Sequence, residues 1–221
     1  MTVLHLADEG EAADLAAFLS RLLHYDRGAA VRLQAAGTAL AVFGRPPSFE
    51  VLAIRAVRLA KPYENGLDVT LDVTVSAGEL LESVDESAAT AAVPAAVTGP
   101  PWAGVLPPRG GWRPVPGLPE PERLRGLVAA SVAEFRSRSE QLPPEQRTRT
   151  ELDRIGREIW SRTVADTGLP VRAVHAAQSL GFLRGEDQAL FSSGSWLRLR
   201  TPFGSVAVRR AGVGALGLSV R

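Results

Sequence analysis

Leu67-Asp68-Val69-Thr70-Leu71-Asp72-Val73-Thr74-Val75 alternates between apolar and polar side chains without a break. Successive side chains on a β-strand point to opposite faces. Leu67, Val69, Leu71, Val73 and Val75 therefore share one face, and Asp68, Thr70, Asp72 and Thr74 share the other. A strand of this kind belongs to an antiparallel sheet covered on one side only.

Before it, Glu64-Asn65-Gly66 carries the Asn-Gly signal of a type I′ hairpin turn. The run it follows, residues 51–60, is apolar on both faces, as a central strand is. Residues 30–35 and 38–43 are two more β-like runs, joined tightly at Ala36-Gly37. Near the N-terminus, residues 2–7 read as a short strand. Asp8 precedes Glu11 by three positions, the start of a capping box. Leu15, Phe18, Leu19, Leu22 and Leu23 then recur at helical spacing, which predicts an amphipathic helix over 9–24. After it, Ser76 and Glu79 repeat the capping pattern and open a helix through about Glu86. The first hundred residues thus read β-α-β-β-β-β-α, an α+β arrangement with helices on one face of an antiparallel sheet.

Residues 99–119 interrupt the periodicity with seven prolines, five glycines, Trp102 and Trp112. A structureless loop of that length is unusual inside one domain, so the reading is an α+β domain over 1–98, a Pro/Gly/Trp-rich linker over 99–119 and a second domain over 120–221. The second is mainly helical. Leu124, Leu127, Val128, Val132 and Phe135 form one face, ended by Pro143-Pro144. Leu152, Ile155, Ile159, Trp160 and Val164 form the next, ended by Gly168-Leu169-Pro170. Val171, Val174, Ala177 and Leu180 begin a third helix. Residues 196–200 and 205–210 read as a closing hairpin about Thr201-Pro202-Phe203-Gly204.

Charge divides along the same line. Residues 1–100 hold 7 Arg/Lys against 13 Asp/Glu, and residues 101–221 hold 18 Arg against 11, so a net charge of +1 conceals halves of −6 and +7. Beyond Asp187 there is no acid, while Arg198, Arg200, Arg209, Arg210 and Arg221 follow. Such asymmetry marks an anionic partner or an attraction between the halves. Lys61 is the only lysine, the bias of GC-rich coding, so arginine content alone has little functional weight.

Composition excludes several classes. There is no cysteine, hence no disulfide, thiol nucleophile or Cys-ligated metal. The acidic N-terminus does not resemble a signal peptide, and the longest apolar run, residues 88–97, is about half a membrane span. The expectation is a cytoplasmic protein without membrane association or cofactor. His5, His24 and His175 lie on separate elements and form no metal-binding spacing. Asp68 and Asp72 share a strand face and could make a carboxylate pair with a carboxylate from another strand or helix. Gly212-Val213-Gly214-Ala215-Leu216-Gly217 matches the dinucleotide-binding glycine spacing but lacks the helix and acid that must follow. Residues 113–119 match a proline-rich ligand pattern, as a Pro-rich spacer readily does.

Without a catalytic signature, the reading is a non-enzymatic intracellular interaction or adaptor protein with another protein as partner. Trp102, Trp112 and Arg113, together with the Arg-rich C-terminus, are its candidate surface. The alternative is DNA binding by a winged-helix-like order of two helices and a hairpin. In that reading Arg172, His175, Gln178 and Ser179 would face bases, and Arg198, Arg200, Arg209 and Arg210 would contact phosphates. An enzyme of unrecognised type is the second alternative.

Overall fold

The computed structural model describes residues 2–60 and 71–210. β1 (Val3–His5) leads into α1 (Glu9–Tyr25). Asp8 caps α1 by accepting the Glu11 N–H at 2.8 Å. Leu15, Phe18, Leu19 and Leu22 form the buried stripe that the spacing predicts, each stabilising the fold by roughly 1.5–3 kcal/mol. β2 (Ala30–Ala36), β3 (Ala39–Gly44), β4 (Leu52–Arg58) and β5 (Asp72–Ser76) follow, then α2 (Ala77–Glu82), capped by Ser76. The turn expected at residues 64–66 and the strand positions 67–70 lie outside the described residues, as does the glycine run 212–217.

α2 ends four residues earlier than its sequence suggests. Ser83 closes it, its hydroxyl donating to the carbonyls of Leu80 and Ala92. The chain then forms β6 (Val84–Asp85) and β7 (Thr90–Ala92). β1 pairs with β7 rather than with the main sheet, giving a separate three-stranded sheet, β1-β7-β6. Leu4 and Ala91, both fully buried, meet in that register.

The second half supplies β8 (Arg113–Pro114), α3 (Pro121–Gln141), α4 (Arg149–Trp160), α5 (Val171–Ser179), β9 (Ala189–Ser193), β10 (Trp196–Thr201) and β11 (Gly204–Arg209). The fold is α+β, and β10 and β11 form the expected hairpin. β11 also pairs with β4, so strands from both halves build one antiparallel sheet in the order β5-β2-β3-β4-β11-β10-β9-β8. α1 packs on β4 and α5 on β11, while α3 and α4 form an outer helical tier against α5. One core joins Leu15, Phe18 and Val42 to Val174, Leu197, Leu199 and Val206. None of the described helices is long and apolar enough to cross a membrane.

Residues 99–119, expected to be a linker, lie over the sheet's other face. Trp102, Leu106 and Trp112 pack against Phe43, Leu52, Ile54, Trp196 and Ala207. Arg32 donates to the Ala103 carbonyl, and β8 pairs with β9 at the sheet edge. The molecule therefore has three layers: helices, sheet and a proline-rich strap.

Candidate interaction face

Period-two alternation along β10 sends Leu197 and Leu199 into the main core and Trp196, Arg198 and Arg200 to the strap side. Strand register sets their neighbours. Arg198 lies opposite Ala207 on β11 and Phe191 on β9; Arg200 lies opposite Ser205 and Ala189; Trp196 lies opposite Arg209. Each arginine meets a ring. The Arg198 Cζ is 5.8 Å from the Trp112 centroid, Arg200 5.2 Å from Phe191, and Arg209 5.1 Å from Trp196. Ring faces attract cations at such distances, so the rings hold the guanidiniums flat against the sheet.

Among the described residues these cations pair with no acid. Arg198 donates through Nε to Ser205 Oγ at 2.9 Å, and Arg210 donates to the Gly194 carbonyl. Neither, nor Arg200 or Arg209, reaches a carboxylate among the described residues. Burial, and then the like charge of Arg200, push the Arg198 pKa below the usual guanidinium value. The helical tier differs. There Arg138, Arg154 and Arg162 interlock with Glu134, Glu151 and Glu158, and Arg149 faces Asp153. Arg138, Arg149, Arg154 and Arg162 are thus neutralised by neighbouring carboxylates, whereas the arginines of β10 and β11, like Arg123, Arg125, Arg136 and Arg157 on the helices, reach no carboxylate among the described residues.

Much of the N-terminal acid is used internally. Arg55, with a side chain 6% exposed, binds Glu11 and Asp14 at 3.1 Å each, and Arg58 binds Asp8 and Glu11. Two ion pairs cross between the halves, Arg184 with Asp14 at 3.3 Å and Arg172 with Glu50 at 3.9 Å. Arg55 adds a hydrogen bond to the Phe203 carbonyl, 2.8 Å. Asp72 is engaged by Arg32 and Gln34; the Arg32 hydrogen bonds hold its carboxyl below the ordinary range. It is structural, and its sequence companion Asp68 lies outside the described residues.

The fold brings Trp112, Arg113, Arg198, Arg200, Arg209 and Arg210 to the strap side and far edge of the sheet. Trp102 is beside them, half-buried, in the same apolar cluster as Trp112. Arg172, His175, Gln178 and Ser179 are elsewhere, on α5, whose apolar side packs under β11. The sheet separates the two sets. The hairpin is also flanked by β9 and β4, so it is an interior part of the sheet and not a projecting wing. The two sets therefore lie on different faces of the molecule.

Sequence reasoning missed Phe191 and the pairing of each arginine with a ring. The alternation Trp196-Leu197-Arg198-Leu199-Arg200 held part of that signal; the facing rings come from β9 and the strap. Among the described residues no three His, Asp or Glu side chains form a metal-binding group.

Two family models match the chain, both described as domains of unknown function. DUF8010 covers residues 1–104 and DUF8185 covers residues 107–213. They meet within the strap, whereas the main sheet takes strands from both sides of that point. No curated protein matches.

Proposed function

We infer that the protein is a non-enzymatic intracellular binding protein whose Arg/aromatic sheet face takes an acidic segment of a partner protein. The observation that carries this is the unpaired Arg198–Arg200 couple. Two like charges share one strand face, one of them half-buried, with only a hydroxyl as hydrogen-bond partner. A guanidinium out of water is costly unless paired, and its planar fork matches a carboxylate bidentately. An arriving carboxylate relieves both the desolvation and the mutual repulsion.

An acidic peptide fits better than a duplex because the helix set and the arginine set face opposite ways. It fits better than a single strand of nucleic acid because the ring of Trp196 is covered: it is 8% exposed and lies beneath Arg209. Bases need open ring faces to stack upon.

The test is fluorescence anisotropy with a labelled oligo-glutamate peptide, and with single-stranded and duplex DNA of equal charge, at roughly 50 mM salt. The peptide is expected to bind best and to weaken as salt rises. Replacing Arg198, Arg200 and Arg209 together with Gln weakens it by about tenfold or more, while Arg149→Gln leaves it unchanged. Tighter binding of DNA would transfer the face to nucleic acid. No binding by any of the three would end the reading.

A further inference from the structure

On the opposite side of the sheet, at the join of the two halves, a cleft of about 780 Å³ opens between the 3-10 turn Pro47–Phe49 and helices α4 and α5. Its wall is aromatic. The His175 ring stacks on Trp160 with centroids 4.6 Å apart and planes 26° apart. Phe49 meets His175 edge-on at 5.0 Å, and Phe135 lies 6.3 Å from Trp160. A volume of this size is that of a small-molecule site.

One donor on this wall is buried and unsatisfied. Arg172 Nε is buried with no hydrogen-bond partner, its nearest acid being Glu50 at 3.9 Å. Neither the Trp160 indole N–H nor the His175 imidazole has a hydrogen bond among the described residues. A buried donor without an acceptor is destabilising by itself; Arg172 Nε is in that condition, and the Trp160 N–H and His175 ring on the same wall are half-buried and free to take an acceptor.

Two backbone features point the same way. Glu50, directly after Phe49, has φ 52° and ψ 38°, a left-handed conformation costly for a residue with a Cβ. It sets the turn that carries Phe49 and Glu50 into the cleft wall. Gly156 sits inside α4, where glycine is the poorest helix former but proline. Packing does not require it: an added Cβ would stand 3.5 Å from Trp160 and 3.6 Å from Phe135, ordinary contact distances. What a methyl would occupy is cleft space, since Gly156 lines the cavity.

We propose that this cleft binds a planar heteroaromatic small molecule with hydrogen-bond acceptors, a carboxylate among them, along its edge. The ring lies against the Trp160–His175 stack. The Trp160 N–H and the Arg172 guanidinium donate to the edge acceptors. Glu50 holds Arg172 loosely, at a distance a ligand carboxylate can improve upon. Gly156 leaves room for the ring at the expense of helix stability. The site is independent of the arginine face, from which the sheet separates it.

The experiment titrates the intact protein with quinoline-2-carboxylate, and with quinoline as the uncharged comparison, up to about 1 mM. Binding is read from the Trp160 indole resonance, assigned with Trp160→Phe. The acid is expected to shift that resonance saturably. Gly156→Ala weakens it about tenfold or more while raising the melting temperature by about 2–4 °C. Because the variant is more stable, its loss of binding cannot be misfolding. Arg172→Met weakens the carboxylate probe about tenfold and leaves quinoline little changed. An unmoved Trp160 resonance, or equal binding to wild type and Gly156→Ala, would overturn the proposal.

Discussion

Replacing Arg55 with Met removes the charged head that ties α1 to the C-terminal hairpin while keeping an unbranched apolar stem. The wild-type guanidinium makes three hydrogen bonds, to Glu11 and Asp14 at 3.1 Å and to the Phe203 carbonyl at 2.8 Å. Breaking a buried ion pair from one side costs about 3–5 kcal/mol. Here two compensations reduce it. Glu11 keeps Arg58 at 2.8 Å, and Asp14, 32% exposed, keeps Arg184 and water. Loss of Arg55 also removes a buried Nε that has no partner. The expected destabilisation is about 2–4 kcal/mol. Urea unfolding followed by tryptophan fluorescence would measure it, with Glu11→Gln and the double variant completing a cycle. Because Gln relieves the carboxylate left by Met, the double variant is expected to be about 1 kcal/mol more stable than additivity gives. Fluorescence and far-UV signals should move together in one transition, since the sheet and the ion network cross the halves. A loss below about 0.5 kcal/mol would refute the role given to Arg55. Two resolved transitions would show domains 1–98 and 120–221 unfolding separately.

Gly204 has φ 153°, and a Cβ there would stand 2.6 Å from the Phe182 ring, itself stacked on Phe18. Gly204→Ala is expected to lower stability by about 2–5 kcal/mol in thermal melts, whereas Gly110→Ala, with open space around it, is expected to be neutral. Hydrogen bonds from Arg138, with help from Arg162, hold the Glu158 carboxyl at about 2, below its ordinary 4.5. A depressed carboxylate contributes stability above its ordinary value and loses it as pH falls through its folded one, so the α3–α4 ion network should weaken between pH 4.5 and about 2. A carboxyl carbon titration of Glu158 with its midpoint near the ordinary value would contradict this. Burial lowers the His175 pKa, which keeps the ring neutral; stability should decline as pH falls below the ordinary histidine range, and His175→Phe should remove that decline.

Local signals in the chain were strong where a single element decides its own form. Asp8 and Ser76 cap the helices they precede, and the spacing of Leu15, Phe18, Leu19 and Leu22 names the buried stripe. The alternation in residues 196–200 assigns each side chain of β10 to its face. What depends on long-range pairing was not legible. β6, β7, β8 and β9 are short or irregular in pattern, and β7 and β8 also find partners, β1 and β9, tens of residues away. The strap looks structureless because proline and glycine give no period, yet Trp102 and Trp112 anchor it to a sheet face that local polarity could not identify as covered. The interaction face follows the same rule. Its arginines stand out in sequence, but their lack of partners is visible only once the carboxylates of the described residues have been placed.

Side-chain Nε–Hε spectra of arginine during titration with oligo-glutamate separate the strand arginines from the ion-paired ones, because each guanidinium reports on its own. Arg198, Arg200 and Arg209 are expected to shift together and saturate, while Arg138, Arg154 and Arg162 stay in place. Uniform small shifts across all arginines, or a response confined to the helical tier, would contradict the proposed arginine face.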